Sequence, residues 1–260
     1  MMRSYSQLIK RLQTVAEASS VVMEALGEFT TAGGQDYTLA LMSLGTPGPE
    51  KKSVAISAGI HGDEPAGVEA VIQFLEANAY NEALLSRFHF TIFPCDNPSG
   101  WELGIRENAD GIDLNREFDA PSPAAEVKII KNALQGRCFD LVIELHEDID
   151  SPGFYLYELA EQPELRVGES IVEVVASAGY PINDNSIIEG LGAEGGIIRP
   201  AETRELPKTS LPKAVYTYLT CGGHVITLEP PASVLPLEDR VKIGLIGLKV
   251  ALDKAAQDKA

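Results

Sequence analysis

The stretch from Ser53 to Val71, Ser-Val-Ala-Ile-Ser-Ala-Gly-Ile-His-Gly-Asp-Glu-Pro-Ala-Gly-Val-Glu-Ala-Val, constrains the fold more than any other part of the chain. Val54, Ala55 and Ile56 form the short apolar run of a strand covered on both faces. Gly59 and Gly62 free the backbone for a tight turn, and Pro65 suits the first turn of a helix. Strand, turn and returning helix make up the unit of a layered α/β structure. The turn carries His61 and Glu64, three residues apart at the carboxyl end of the strand, where both can aim at one point. An imidazole and a carboxylate are two of the three protein ligands of a catalytic zinc site. His-x-x-Glu is also a common surface or capping pair, so the rest of the chain has to decide.

The remaining sequence continues the alternation. Leu8, Leu12, Val15 and Ala16 recur at helical spacing over 4–18, and strands are expected at 37–44, from Ser53 through the Val54–Ile56 run, and at 88–93. A helix at 64–78 buries Val68, Val71, Ile72 and Leu75. Residues 95–123, rich in Asn, Gly, Asp and Pro, form a loop too long to be a mere connection. Further on, the pattern predicts helices at 122–134, 164–177, 211–221 and 237–259. Strands are expected at 139–146, 153–159 and 224–228, with an irregular glycine-rich stretch over 183–212. The expected fold is α/β, one domain spanning 1–260, with a mixed, mainly parallel sheet and helices on both faces.

A net charge of −17 argues against nucleic acid or an anionic membrane as a partner. No run of apolar residues approaches membrane-spanning length. The first twenty residues hold Arg3, Lys10, Arg11 and Glu17 without an apolar block, which does not read as a signal peptide. Cys95, Cys138 and Cys221 are widely spaced and odd in number, as expected of reduced thiols in a cytoplasmic protein.

His61, Glu64, His146 and Glu229 all fall at or just after the end of an expected strand, the end at which open α/β sheets bind ligands. The long loop adds Asn97-Pro-Ser-Gly100, Arg106, Asn108 and Gly111-Ile-Asp-Leu-Asn-Arg116. Taken in order, His61-x-x-Glu64, Asn97-Pro-x-Gly100, Arg106, Gly111-x-Asp-x-Asn-Arg116, His146 and Thr227-Leu-Glu229 resemble the zinc carboxypeptidases of the M14 type. The compact loop from Arg106 to Arg116 is most similar to that of bacterial murein peptide amidases.

The resemblance implies a role for each residue. His61, Glu64 and His146 would hold a zinc ion. Glu229 would move the proton of the attacking water and Arg106 would face the developing oxyanion. Asn115 and Arg116 would grip the terminal carboxylate of a peptide or amino-acid amide substrate. Asp113 would orient His61. Arg106 and Arg116 also read as surface partners of the chain's many carboxylates, and Glu229 as the cap of a strand. A co-catalytic second metal would use Asp63 or Glu147, and Glu144 shares a strand face with His146. His89 reads as a solvent-facing strand residue and His224 as structural. The M14 pattern includes a mobile tyrosine ahead of the catalytic glutamate, and 193–210 contains none. The rival enzyme reading is an N-acyl amino acid deacylase resembling aspartoacylase and succinylglutamate desuccinylase, which share His-Gly-x-Glu and Asp-Leu-Asn-Arg. A rival from another class is a binding module that kept the fold without its chemistry.

Overall fold

A computed structural model describes residues 3–17, 19–200 and 206–257; the expected helix ends at 18 and 259 lie outside them. The chain opens with helix α1 (Tyr5–Glu17) and an antiparallel hairpin of β1 (Val22–Thr30) and β2 (Asp36–Leu44). Strand β3 (Lys52–Ala58) leads through the His61 turn into α2 (Pro65–Asn78); a short α3 (Glu82–Leu85) and β4 (Phe88–Phe93) follow. The long loop contains helix α4 (Pro98–Leu103) and a 3-10 turn, Leu114–Arg116. Then come α5 (Ala125–Leu134), β5 (Leu141–Leu145), β6 (Tyr155–Leu159), α6 (Gly168–Ser177) and three short strands, β7 (Ile187–Ile188), β8 (Leu191–Glu194) and β9 (Ile197–Ile198). Helix α7 (Lys213–Cys221), β10 (His224–Glu229) and α8 (Leu237–Ala255) complete the order.

The strands form one mixed sheet in the order β1-β2-β4-β3-β5-β10-β6-β9-β8-β7. Its centre, β4-β3-β5-β10, is parallel throughout, so four carboxyl ends point the same way. Alternate residues of the strands enter two cores. Val54, Ile56, Ile143 and Leu145 pack with α1, α2, α6 and α8, whereas Ala55, Val142 and Val225 pack with α5 and residues of the long loop. Period-2 alternation therefore puts Ser57, Glu144, His146, Thr227 and Glu229 on the second face. That face carries the polar chemistry.

Two segments depart from the sequence reading. Val22–Thr30, where no strand is expected, forms the outer strand of the sheet. Its residues are mostly exposed, and a bulge between Ala25 and Gly27 breaks the alternation that would announce it. The stretch 183–212, expected to be irregular, folds in part into β7, β8 and β9 at the opposite edge.

His224, as expected, is structural: its Nε2 lies 2.9 Å from Glu158 Oε1. Burial alone would raise the Glu158 carboxyl. Hydrogen bonds from His224, the Val167 N–H and Arg199 outweigh it and bring the pKa down from 4.5 to about 2. A value depressed in the folded state adds stability that is complete above the unfolded-state value and is lost as pH falls towards 2. Acidification from pH 5 to 3 should therefore lower the urea midpoint of the wild type more than that of Glu158→Gln. Equal slopes would show that this carboxylate does not couple folding to pH.

Candidate metal centre

The turn after β3 is shaped by close backbone approach. A side chain at Gly62 would collide with the Gly100 carbonyl carbon, and Gly59 sits at φ +67°. Asn97 locks the same turn from the other side: its Nδ2 donates to the Ile60 carbonyl at 3.2 Å and its Oδ1 accepts the Gly100 N–H at 2.9 Å. The Asn97-Pro-x-Gly100 motif is thus a brace that aims His61. Asn108 braces the loop beyond it, accepting the Asp110 and Ile112 N–H groups, each at 3.0 Å.

His61, Glu64 and His146 converge, all three buried, with one ligand atom of each within 4.8 Å of the others. His61 Nδ1 lies 2.6 Å from Glu64 Oε1, and His146 Nδ1 lies 2.9 Å from Glu64 Oε2. Burial opposes the charging of Glu64, but the two imidazoles overcome it and hold its pKa down to about 2. Burial likewise opposes charging of His61 and His146, and Glu64 raises both above the ordinary imidazole value. Three groups sharing protons at hydrogen-bond distance form a donor set of two imidazole nitrogens and a carboxylate. That set fits a divalent cation of the zinc type, which takes N and O ligands and leaves a position open beside three protein groups. His61 Nε2, on the far side of the ring, is buried without a hydrogen bond, and the nearest carboxylate oxygen, Asp113 Oδ1, is 3.4 Å away. A carboxylate in that place fixes the tautomer that leaves Nδ1 free to ligate.

Arg106 reaches the same point. Its Nη1 lies 3.3 Å from His61 Nδ1 and 3.9 Å from Glu64 Oε1, while its Nε donates to Asp113 Oδ2 at 3.1 Å. Asp113 therefore holds Arg106 by a hydrogen bond and faces His61 with its other oxygen. Glu229 ends β10 beside His146, whose N–H donates to the Leu228 carbonyl at 3.0 Å. Burial raises the Glu229 carboxyl; Glu64 and Asp148 push it further, and His146 and Arg106 pull it back. Asn115, buried, and Arg116, exposed, share the 3-10 turn just beyond Asp113.

Two acidic neighbours have other work. Glu147, a candidate for a second metal, accepts the Ala66 N–H at 2.6 Å through Oε1 and pairs with Arg240 through Oε2. Both oxygens hold the start of α2 and α8 in place. Asp148 accepts the Tyr155 hydroxyl at 2.9 Å. Among the described residues, His61, Glu64 and His146 make up the metal-competent group. His89 is half-buried, with an Nδ1 that has no partner. Sequence reasoning missed a buried set of Ser57, Asp96 and Lys213 beneath the site; one signal was available, a lysine directly after Leu-Pro at the start of an apolar helix.

Comparison with known proteins gives the family and the fold. The sequence profile of the succinylglutamate desuccinylase/aspartoacylase catalytic domain matches residues 50–186, just over half of the chain. Murein peptide amidase A of Escherichia coli K12 is 40% identical over 74 residues, 28% of this chain and 28% of that protein. Mouse carboxypeptidase D is 33% identical over 114 residues, 37% of this chain and 8% of that protein, so the matches span less than a third of either relative. A candidate metallopeptidase from Shewanella denitrificans OS217 superposes with a TM-score of 0.81 at 18% identity, covering 98% of this chain and 91% of its own. A metallo-carboxypeptidase from Burkholderia cenocepacia does so with a TM-score of 0.72 at 22% identity, covering 97% and 69%. These structures share the fold, a mixed α/β sheet of the zinc carboxypeptidase type. The chain belongs to the succinylglutamate desuccinylase/aspartoacylase catalytic-domain family and is built on the metallocarboxypeptidase fold.

Proposed function

We propose that the protein is a zinc-dependent metallocarboxypeptidase that hydrolyses an amide bond next to a free carboxylate. The observation that carries the reading is the placement of Arg106 against the His61–Glu64–His146 group, with Asn115 and Arg116 one short turn away. His61, Glu64 and His146 would hold a zinc ion, which when bound would supply Lewis-acid polarisation of the scissile carbonyl and lower the pKa of water. Glu229, ionised, accepts the proton of the attacking water and returns it to the leaving amine. Arg106 presents a fixed positive charge where the carbonyl oxygen becomes negative, and Asp113 holds that guanidinium still. Asn115 and Arg116 donate to the substrate's carboxylate; a guanidinium fork matches its two oxygens.

A second reading is an N-acyl amino acid deacylase, favoured by the family profile over residues 50–186. Both reactions cleave an amide; they differ in what lies on the acyl side. Offering the zinc-loaded protein peptides, muropeptides and N-acyl amino acids separates them, and cleavage of acyl amino acids alone would favour the second. Within either class, Arg116→Ala should chiefly raise KM, because the clamp acts in ground and transition states alike. Amidating the substrate's carboxylate should mimic that loss. Equal cleavage of free and amidated substrates would remove the clamp.

A further inference from the structure

Among the described residues Lys213 is the one lysine or arginine that is fully buried, 1% exposed. An ammonium at that depth is costly unless it is paired. Its Nζ donates to Asp96 Oδ2 at 2.7 Å and to the Ser57 hydroxyl, and lies 4.3 Å from the centre of the Phe93 ring. Ser57 and Phe93 are paired across β3 and β4, and Asp96 follows β4, with its own N–H on the Ala58 carbonyl at 3.0 Å. The side chain thus runs from the first residue of α7 to the parallel centre of the sheet.

The backbone of the same residue does something else. Lys213 N–H donates to Asn115 Oδ1 at 2.8 Å, in a buried hydrogen bond. A backbone N–H can only donate, so the atom it faces has to be the amide oxygen. With the oxygen turned to Lys213, the Asn115 NH₂ is turned the other way and can donate, which suits an anion. Other ties join this segment to the loop: the Phe118 N–H donates to the Leu211 carbonyl at 3.4 Å, and the Phe118 and Tyr216 rings lie 5.4 Å apart. Asp119, exposed, accepts the Ser210 and Leu211 N–H groups at 3.1 and 2.7 Å, where water competes.

We infer that Lys213 is a positioning residue for the carboxylate clamp: its buried ammonium, locked to Asp96 and Ser57, fixes the start of α7 so that its backbone N–H holds Asn115 as a donor. The inference rests on the clamp reading above and adds the residue that sets the clamp's polarity. Removing the ammonium alone leaves the buried Asp96 carboxylate with no counter-charge and only the Ser57 hydroxyl, which donates to its Oδ2 at 2.8 Å, so Lys213→Met is paired with the double variant Asp96→Asn/Lys213→Met, which removes both charges together.

Two measurements test it, both on the zinc-loaded full chain. Amide hydrogen exchange followed by NMR should show the residue-213 amide exchanging about tenfold faster or more in the double variant, with the amides of β3 and β5 unchanged. For the best-cleaved compound of the screen, KM for the free carboxylate should rise about tenfold, while KM for its C-terminal amide, kcat and zinc content stay put. A residue-213 amide that stays as protected as in the wild type would overturn the inference. Equal rises in KM for the free and amidated forms would do the same, since a general loosening of the site does not distinguish them. A wild type that cleaves both forms equally would instead sink the clamp reading, and the exchange result would still decide whether Lys213 holds Asn115.

Discussion

Glutamine in place of Glu229 should lower kcat by roughly 10²–10⁴-fold, the usual contribution of general acid–base catalysis, while zinc and substrate binding persist. The substitution keeps the shape at the end of β10 but cannot accept a proton. The surroundings of Glu229 add a pH signature. Burial, with Glu64 and Asp148 close by, raises its carboxyl from 4.5 to about 8, and a cation bound beside it draws that value down again. A base works only when ionised, so kcat/KM should fall as pH drops through the Glu229 pKa, on an acid limb lying below about 8. Near-normal turnover by Glu229→Gln would place the base elsewhere. Glu147 would then be a poor substitute, since both of its oxygens are engaged by Ala66 and Arg240.

The parts of the site legible in the sequence are those built by local pattern. Val54 to Ile56 and Leu141 to Leu145 are apolar runs bounded by polar groups, and such runs announce buried strands whose ends carry His61 and His146. Asn97, Gly100 and Asn108 act within a few residues of themselves, so their bracing is visible as a motif. What stayed hidden depends on partners far along the chain. Lys213 meets Asp96 across 117 residues and Ser57 across 156, and nothing in either neighbourhood points to the other. Glu147 sits in an acidic run after a candidate metal ligand, which suggests a second metal until Arg240, 93 residues on, takes up one of its oxygens. Strand β1 was illegible for a different reason. At an outer edge the faces are not separated into wet and dry, so the alternation that marks a strand never forms.

The family profile and the fold neighbours draw two chemistries onto one scaffold. Arg106 lies against His61 and Glu64, at the reacting centre, with the Asn115–Arg116 pair on the turn beyond. In the proposed function that division would give one cation to the oxyanion and another to a terminal carboxylate, as cleavage beside a free carboxylate requires.

Removal of a metal ligand carries the largest expected effect. His146 projects from the end of β5, buried, and with His61 and Glu64 it would complete the minimum of three protein ligands. Alanine at His146 or Glu64 leaves two, and an alanine side chain has no atom that can reach the vacated place. Lewis-acid stabilisation amounts to several kcal/mol, so its loss should cost about 10³-fold or more in kcat/KM. Activity alone does not separate lost metal from lost chemistry, whereas metal content does. Elemental analysis of the purified, zinc-loaded and dialysed chain should find about one zinc per wild-type molecule and about one in Glu229→Gln. It should find little in His146→Ala or Glu64→Ala. Wild-type zinc content in both ligand variants, or none in the wild type, would contradict the assignment of His61, Glu64 and His146 as the metal centre.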